Sequence, residues 1–195
     1  MKNADKRNRV IEITCDIITR QGIRSARVDE IAHIAGISKR TLYELFEDKT
    51  ELIFSCLERL SSWRREMLDR KFNGRNGNSL RAAAEFVREY TDALYLFECE
   101  FLADLKNRAE FAENYRRDCI FWKERMMQLL QRTIEDGYVP AQTDVELIAE
   151  TILSQGYDLR MAGRDRTSQR VIAGALLRGI STPAGVALFD DGGVM

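Results

Sequence analysis

The sequence predicts an all-α fold in which an amino-terminal three-helix helix-turn-helix unit is followed by a larger helical domain. Three observations carry this expectation. Only two prolines, Pro140 and Pro183, interrupt the 195 residues. Apolar residues recur at intervals of three and four, the helical period, and no segment competes as a strand. Glycines and short polar side chains stand where such helices would end and begin. With 45% hydrophobic and 31% charged residues, the chain can bury one good core or two small ones.

The first helix runs from about Asp5 to Arg20, places Val10, Ile13, Ile17 and Ile18 on one face, and stops at Gly22. A second sets Val28, Ile31, Ala32 and Ala35 at i, i+3, i+4 and i+7. Gly36 permits a tight reversal, and Ser38 offers its hydroxyl as the cap of a third, short helix. That helix turns Leu42, Leu45 and Phe46 inward and Lys39, Arg40 and Tyr43 outward. Asp48 followed by Glu51 forms a capping pair for a long fourth helix from about Lys49 to Arg70, with Leu52, Phe54, Leu57 and Leu60 among its apolar positions. The stretch FNGRNGNS, residues 72–79, reads as a loop, and the next helix runs from about Leu80 to Phe97 or beyond. Another spans roughly Glu113 to Glu135 and closes at Gly137; then YVPAQTD leads to a helix capped by Thr143 or Asp144. Helices near 144–162 and 167–181 follow, and the tail FDDGGVM reads as disordered.

Two helices joined by a turn of about three residues, the second with a polar face, form the arrangement whose second helix enters the DNA major groove. Groove chemistry accounts for the residue types. Lys39 and Arg40 can reach guanine edges or phosphates, Thr41 a base edge or a thymine methyl, and the Tyr43 hydroxyl a phosphate oxygen. An exposed hairpin with a solvated charged face is the plainer alternative. Charge is unevenly placed: residues 1–50 hold 10 Lys/Arg against 8 Asp/Glu, a net +2, whereas residues 51–195 hold 20 against 23, a net −3. Arg20, Arg24, Arg27, Lys39, Arg40 and Lys49 lie in or beside the two short helices, where a local positive face matters more than the total of −1.

The run GIRSARVDEIAHIAGISKRTLYELFEDKTELI resembles the amino-terminal domain of the tetracycline-repressor (TetR) family of bacterial regulators. The resemblance rests on Gly22, Ile31-Ala32, Ala35-Gly36-Ile37-Ser38, Thr41-Leu42-Tyr43, Phe46, Lys49 and Leu52, continuous and without a gap. It implies base-edge roles for Lys39, Arg40 and Thr41 and phosphate roles for Tyr43 and Lys49. Lys49 stands at a helix start whose backbone N–H groups can hold the same phosphate. Two departures are visible. Ala26 and Arg27 stand where the family usually has a capping hydroxyl, so Arg27 replaces that phosphate contact by charge. Leu45 stands where a His or Tyr is common. The resemblance further implies a ligand-responsive repressor that binds a palindromic operator as a homodimer. A DNA-binding domain would occupy residues 1–49 and an effector-binding and dimerisation domain residues 50–195.

Two sets of residues are singled out in the second domain. Ala149, Gly156 and Gly163 fall seven apart on one stripe with Ile152, unless Gly163 ends the helix; Val171, Ile172, Ala175, Leu176 and Gly179 line the next helix. Both stripes fit either intrachain packing or the dimer bundle that the resemblance implies. Trp63, Tyr90, Phe97, Phe101, Trp122, Met126 and Tyr157 are the candidates for an apolar effector pocket, each weighed against plain core.

Other classes are disfavoured. The single histidine, His33, lies beside the turn, which leaves the larger domain without a Ser/His or Cys/His pair. No glycine-rich phosphate loop follows a strand. The four cysteines, 15, 56, 99 and 119, are too scattered for a metal site or disulfide framework, so no metal or cofactor is expected. No run approaches the roughly 18 apolar residues of a membrane span, which points to the cytoplasm. The remaining rival is a dimeric helical interaction module without DNA binding.

Overall fold

The computed structural model describes residues 3–72 and 77–191, and within them every regular element is helical. The helices are α1 (Asn3–Gln21), α2 (Val28–Ala35), α3 (Lys39–Leu45), α4 (Lys49–Phe72), α5 (Ser79–Tyr95), α6 (Cys99–Asn107), α7 (Ala112–Glu135), α8 (Val145–Met161), α9 (Arg166–Gly179) and α10 (Pro183–Asp190). Short 3-10 turns at Ile23–Ser25 and Ala109–Phe111 precede α2 and α7. Residues 73–76 of the expected loop and 192–195 of the expected tail lie outside the described residues.

The chain divides into two compact units, one comprising residues 1–73 and 97–116, the other residues 74–96 and 117–195. A boundary at residue 49 therefore marks the end of the helix-turn-helix rather than the end of a compact unit. The reason is α1, which packs against α2, α4 and α6 and so ties all of them into one core. Val10, Ile18, Ile31, Leu42, Leu52 and Ile53 are almost fully buried there. Truncating one of these, such as Leu42→Ala, should cost about 2–5 kcal/mol. Ile13, expected in the core, is only half-buried; Ile11 and Thr14 take its place, the Thr14 hydroxyl donating to the Val10 carbonyl at 2.8 Å. Cys15 and Cys56 meet on facing turns of α1 and α4, and Cys56 donates to the Ile11 carbonyl at 3.5 Å. The neighbouring Cys15 sulfur and burial both push the Cys56 thiol up, so it stays protonated.

The second unit packs α5 against α8 and α9. Phe86, Tyr90, Trp122, Met126, Ala149, Ile152 and Leu177 are buried in it. Two boundaries differ from the sequence expectation. The α5 helix ends at Tyr95 and a separate helix, α6, follows, because Glu98 turns extended (φ −70°, ψ 154°) and opens a new helical start. Phe189 and Asp190, expected in a disordered tail, end α10, which Thr182 caps by accepting the Gly185 N–H and which Pro183 starts.

Candidate nucleic-acid interface

The geometry of α3 follows from its two ends. Gly36 closes α2 in the left-handed region at φ 68°, a conformation that costs a Cβ-bearing residue, and the chain reverses there. The Ser38 hydroxyl then accepts the Thr41 N–H at 3.0 Å and lies 3.0 Å from the Thr41 hydroxyl. Leu42 and Phe46 are buried beneath the helix, Leu45 is half-buried, and Lys39, Arg40, Tyr43 and Glu44 point to solvent. The outward face is thus a consequence of the inward one: anchoring Leu42 fixes the neighbouring positions outside.

On that face the cations are loosely held. Lys39 pairs with Asp29 of α2 at 3.0 Å and Arg40 with Glu44 at 3.1 Å, both among largely exposed side chains. The bond to Asp29 raises the Lys39 ammonium above the usual lysine value, so it carries its charge throughout the physiological range. Exposed pairs of this kind contribute little and exchange readily for a phosphate. Tyr43 is 47% exposed although aromatic. Arg27 caps α2 through its backbone alone, with no side-chain bond to the helix, as the missing hydroxyl implies.

Lys49 opens α4, where Asp48 accepts the Glu51 N–H at 2.8 Å and Glu51 reaches back to the Glu47 N–H at 2.5 Å. Partial burial and then the nearby Arg108 charge hold the Lys49 ammonium below the usual lysine value, against the pull of Asp104. A phosphate oxygen would relieve that frustration. Sequence reasoning missed three residues that position this face. Arg7 donates from α1 to Glu51 and to Ser55, both at 3.1 Å, and lies 4.6 Å over the Phe46 ring. Asp29 holds Lys39, and Asp104 binds the turn before α2. No local pattern marks these residues, because their partners are distant in sequence.

Residues 10–56, which include α2, α3 and the start of α4, match the family described as bacterial regulatory proteins, tetR family. That segment is a TetR-family helix-turn-helix. The chain is 26% identical over 165 residues to the HTH-type transcriptional regulator AcrR of Shigella flexneri, covering 78% of this chain and 74% of that one. It is 23% identical over 151 residues to the HTH-type transcriptional repressor KstR2 of Mycobacterium tuberculosis (strain CDC 1551 / Oshkosh), covering 73% and 74%. A transcriptional regulator from Saccharomonospora viridis, solved in complex with choline, shares the fold with a TM-score of 0.81 at 14% identity, covering 92% of this chain and 99% of that one.

Within this TetR-family fold the expected effector residues are divided between the two units. Trp63 is 52% exposed, which removes it from any enclosed pocket of the first unit. Phe97 and Phe101 stack in that unit at 5.0 Å between centroids. Tyr90, Trp122, Met126 and the half-buried Tyr157 belong to the second, where the Tyr90 ring meets Trp122 at 5.0 Å and its hydroxyl donates to the Leu153 carbonyl at 2.8 Å. Tyr90 also lines a narrow cleft between α5, α8 and α9 with Gly156 and Gln169.

The expected dimer stripe on α8 is corrected by the same packing. Ala149 and Ile152 are buried inside their own chain, and a Cβ on Gly156 would lie 3.0 Å from the Tyr90 ring. Gly163 lies beyond the end of α8, at φ 73°. Gly156 thus admits Tyr90 of α5 in its own chain. On α9 the expectation divides: Val171, Ala175 and Gly179 are exposed, whereas Ile172 and Leu176 are half-buried along the cleft. Leu147 and Met161 of α8 are exposed apolar residues that the sequence stripe did not include.

Proposed function

We propose that this TetR-family chain is a homodimeric, cytoplasmic transcriptional repressor that binds a palindromic operator and releases it when a small molecule occupies the region after residue 49. The single observation that supports this most is the capped α3 helix, anchored by Leu42 and Phe46, with Lys39, Arg40 and Tyr43 held outward. On this reading Arg40 and Lys39 exchange their carboxylate partners for base edges or phosphate, and Thr41 contacts a base. Arg27, Tyr43 and Lys49 fix the backbone on either side. Subunits pair through the exposed apolar residues Leu147, Met161, Val171 and Ala175 with Gly179, which places two recognition helices on one duplex. AcrR and KstR2, the relatives named above, are by description transcriptional regulators.

Anisotropy of a labelled duplex titrated with the protein between 50 and 200 mM salt tests this reading. Affinity should fall steeply, with a log–log slope of about −0.9 for each phosphate neutralised. Absence of binding at low salt would leave a dimeric helical interaction module in its place.

A further inference from the structure

The helix-turn-helix begins at the 3-10 turn Ile23–Ser25, and that turn carries no side-chain cap of its own, because Gly22 stands at the capping position. A carboxylate from far along the chain supplies it. Asp104 Oδ2, on α6, accepts the Ile23 N–H at 2.9 Å and the Arg24 N–H at 3.2 Å, and Oδ1 lies 3.4 Å from the Arg24 guanidinium. The Asp104 side chain is only 11% exposed. A second tie lies close by, where the Glu98 N–H donates to the Thr19 carbonyl at 2.9 Å and fixes the start of α6 to the end of α1. Gly22 adopts φ 81°, and a Cβ there would come within 3.1 Å of the Glu100 Cβ and 3.2 Å of Asp104 Oδ2. The approach of α6 thus depends on the missing side chain. Ile23 and Ala26, which frame the turn, are 1% and 0% exposed, and α2 starts two residues after Ala26.

We propose that Asp104 is a positioning residue for DNA binding: its carboxylate clamps the start of the helix-turn-helix to α6, so that the position of α6 sets the orientation in which α2 and α3 meet the duplex. The proposal rests on the DNA-binding reading above. A simpler electrostatic role makes the opposite prediction. Asp104 carries negative charge close enough to act on Lys49, so a residue that merely repelled phosphate would, on removal, tighten binding and steepen its salt dependence.

The test uses the full chain and the duplex that the wild-type protein itself enriches from a random pool. Asp104→Asn keeps the side-chain volume and one acceptor but loses the charge-assisted bonds. It should bind that duplex about tenfold or more weakly, the scale of a charge-assisted hydrogen bond, with an unchanged salt slope. On duplexes whose half-sites are moved apart or together by one base pair the loss should be much smaller, because a loosened start of α2 tolerates altered spacing. Gly22→Ala pushes the clamp apart while leaving every charge in place, and should reproduce the pattern. Thermal melting followed by circular dichroism shows that each variant is folded at the assay temperature. Equal or tighter binding by Asp104→Asn, or a loss of the same factor at every spacing in both variants, would overturn the proposal. Failure of the wild type to bind any duplex would remove the DNA-binding reading and this proposal together; wild-type binding with both variants unchanged removes the proposal alone.

Discussion

Arg40 and Lys49 lie on the same surface for different reasons. Arg40 is 89% exposed in its side chain on the first turn of α3, where it pairs with the exposed Glu44, a contact it can exchange for a groove. Lys49 is half-buried at the start of α4, where its charge lies beside that of Arg108. Arg40→Ala should therefore relax preference at one base position in each half-site, at roughly 1–3 kcal/mol if the contact is bidentate to guanine. Lys49→Ala should weaken every duplex by a similar factor and flatten the salt slope by about one contact per subunit. Competition binding against a panel of single-base variants separates the two; uniform loss for Arg40→Ala would move that residue to the phosphate backbone. The Ser38 cap and the Asp48–Glu51 pair were legible in the sequence because they operate over three residues. Asp104, 81 residues from Ile23, was not, since only tertiary packing brings it there.

At the scale of an element, α2 is the least well finished. Its cap, Arg27, makes no side-chain bond to the helix, so one of its first N–H groups lacks the partner that Ser38 provides for α3. Arg27→Thr should stabilise the protein by about 0.5–2 kcal/mol yet weaken operator binding, because the same change removes a cation from the DNA-facing side. Melting temperature and duplex affinity should move in opposite directions; joint loss would mean that Arg27 supports the fold in some other way. The α8 helix shows where sequence periodicity stops being informative. Small residues seven apart do share a face, but the period does not say whose side chain fills it, and here Tyr90 of the same chain does. Gly156→Leu should thus destabilise the protomer by about 1–3 kcal/mol through overpacking, lowering its melting temperature even where dilution has separated any dimer. An unchanged melt would show that Tyr90 is able to move aside.

Across the whole molecule the exposed apolar positions of α8 and α9 matter most. Leu147 and Val171 are 58% and 59% exposed, and Met161 lies 14 residues after Leu147, two heptads along the same side of α8. An obligate interface should bury on the order of 2,000 Å² or more in total. The double variant Leu147→Glu, Val171→Glu should yield folded monomers by light scattering, and a persistent dimer would place the interface elsewhere. Dimerisation also bears on regulation. If an effector acts by changing the separation of two recognition helices, operator DNA must weaken effector binding by the factor by which the effector weakens operator binding, typically about 5–150-fold. The all-helical class and the helix-turn-helix were readable from periodicity and caps. The effector residues were not, because aromatic side chains at helical spacing look alike whether they line a pocket or fill a core.

The most direct test is selection of bound duplexes from a random pool, followed by sequencing. A two-fold dimer carrying one α3 in each subunit should enrich an inverted repeat whose half-sites are centred one helical turn apart, ~34–36 Å, or a multiple of it. That symmetry should collapse to a single half-site in the monomeric double variant. Enrichment of no sequence, or of one asymmetric site by the intact dimer, would contradict operator recognition by paired α3 helices.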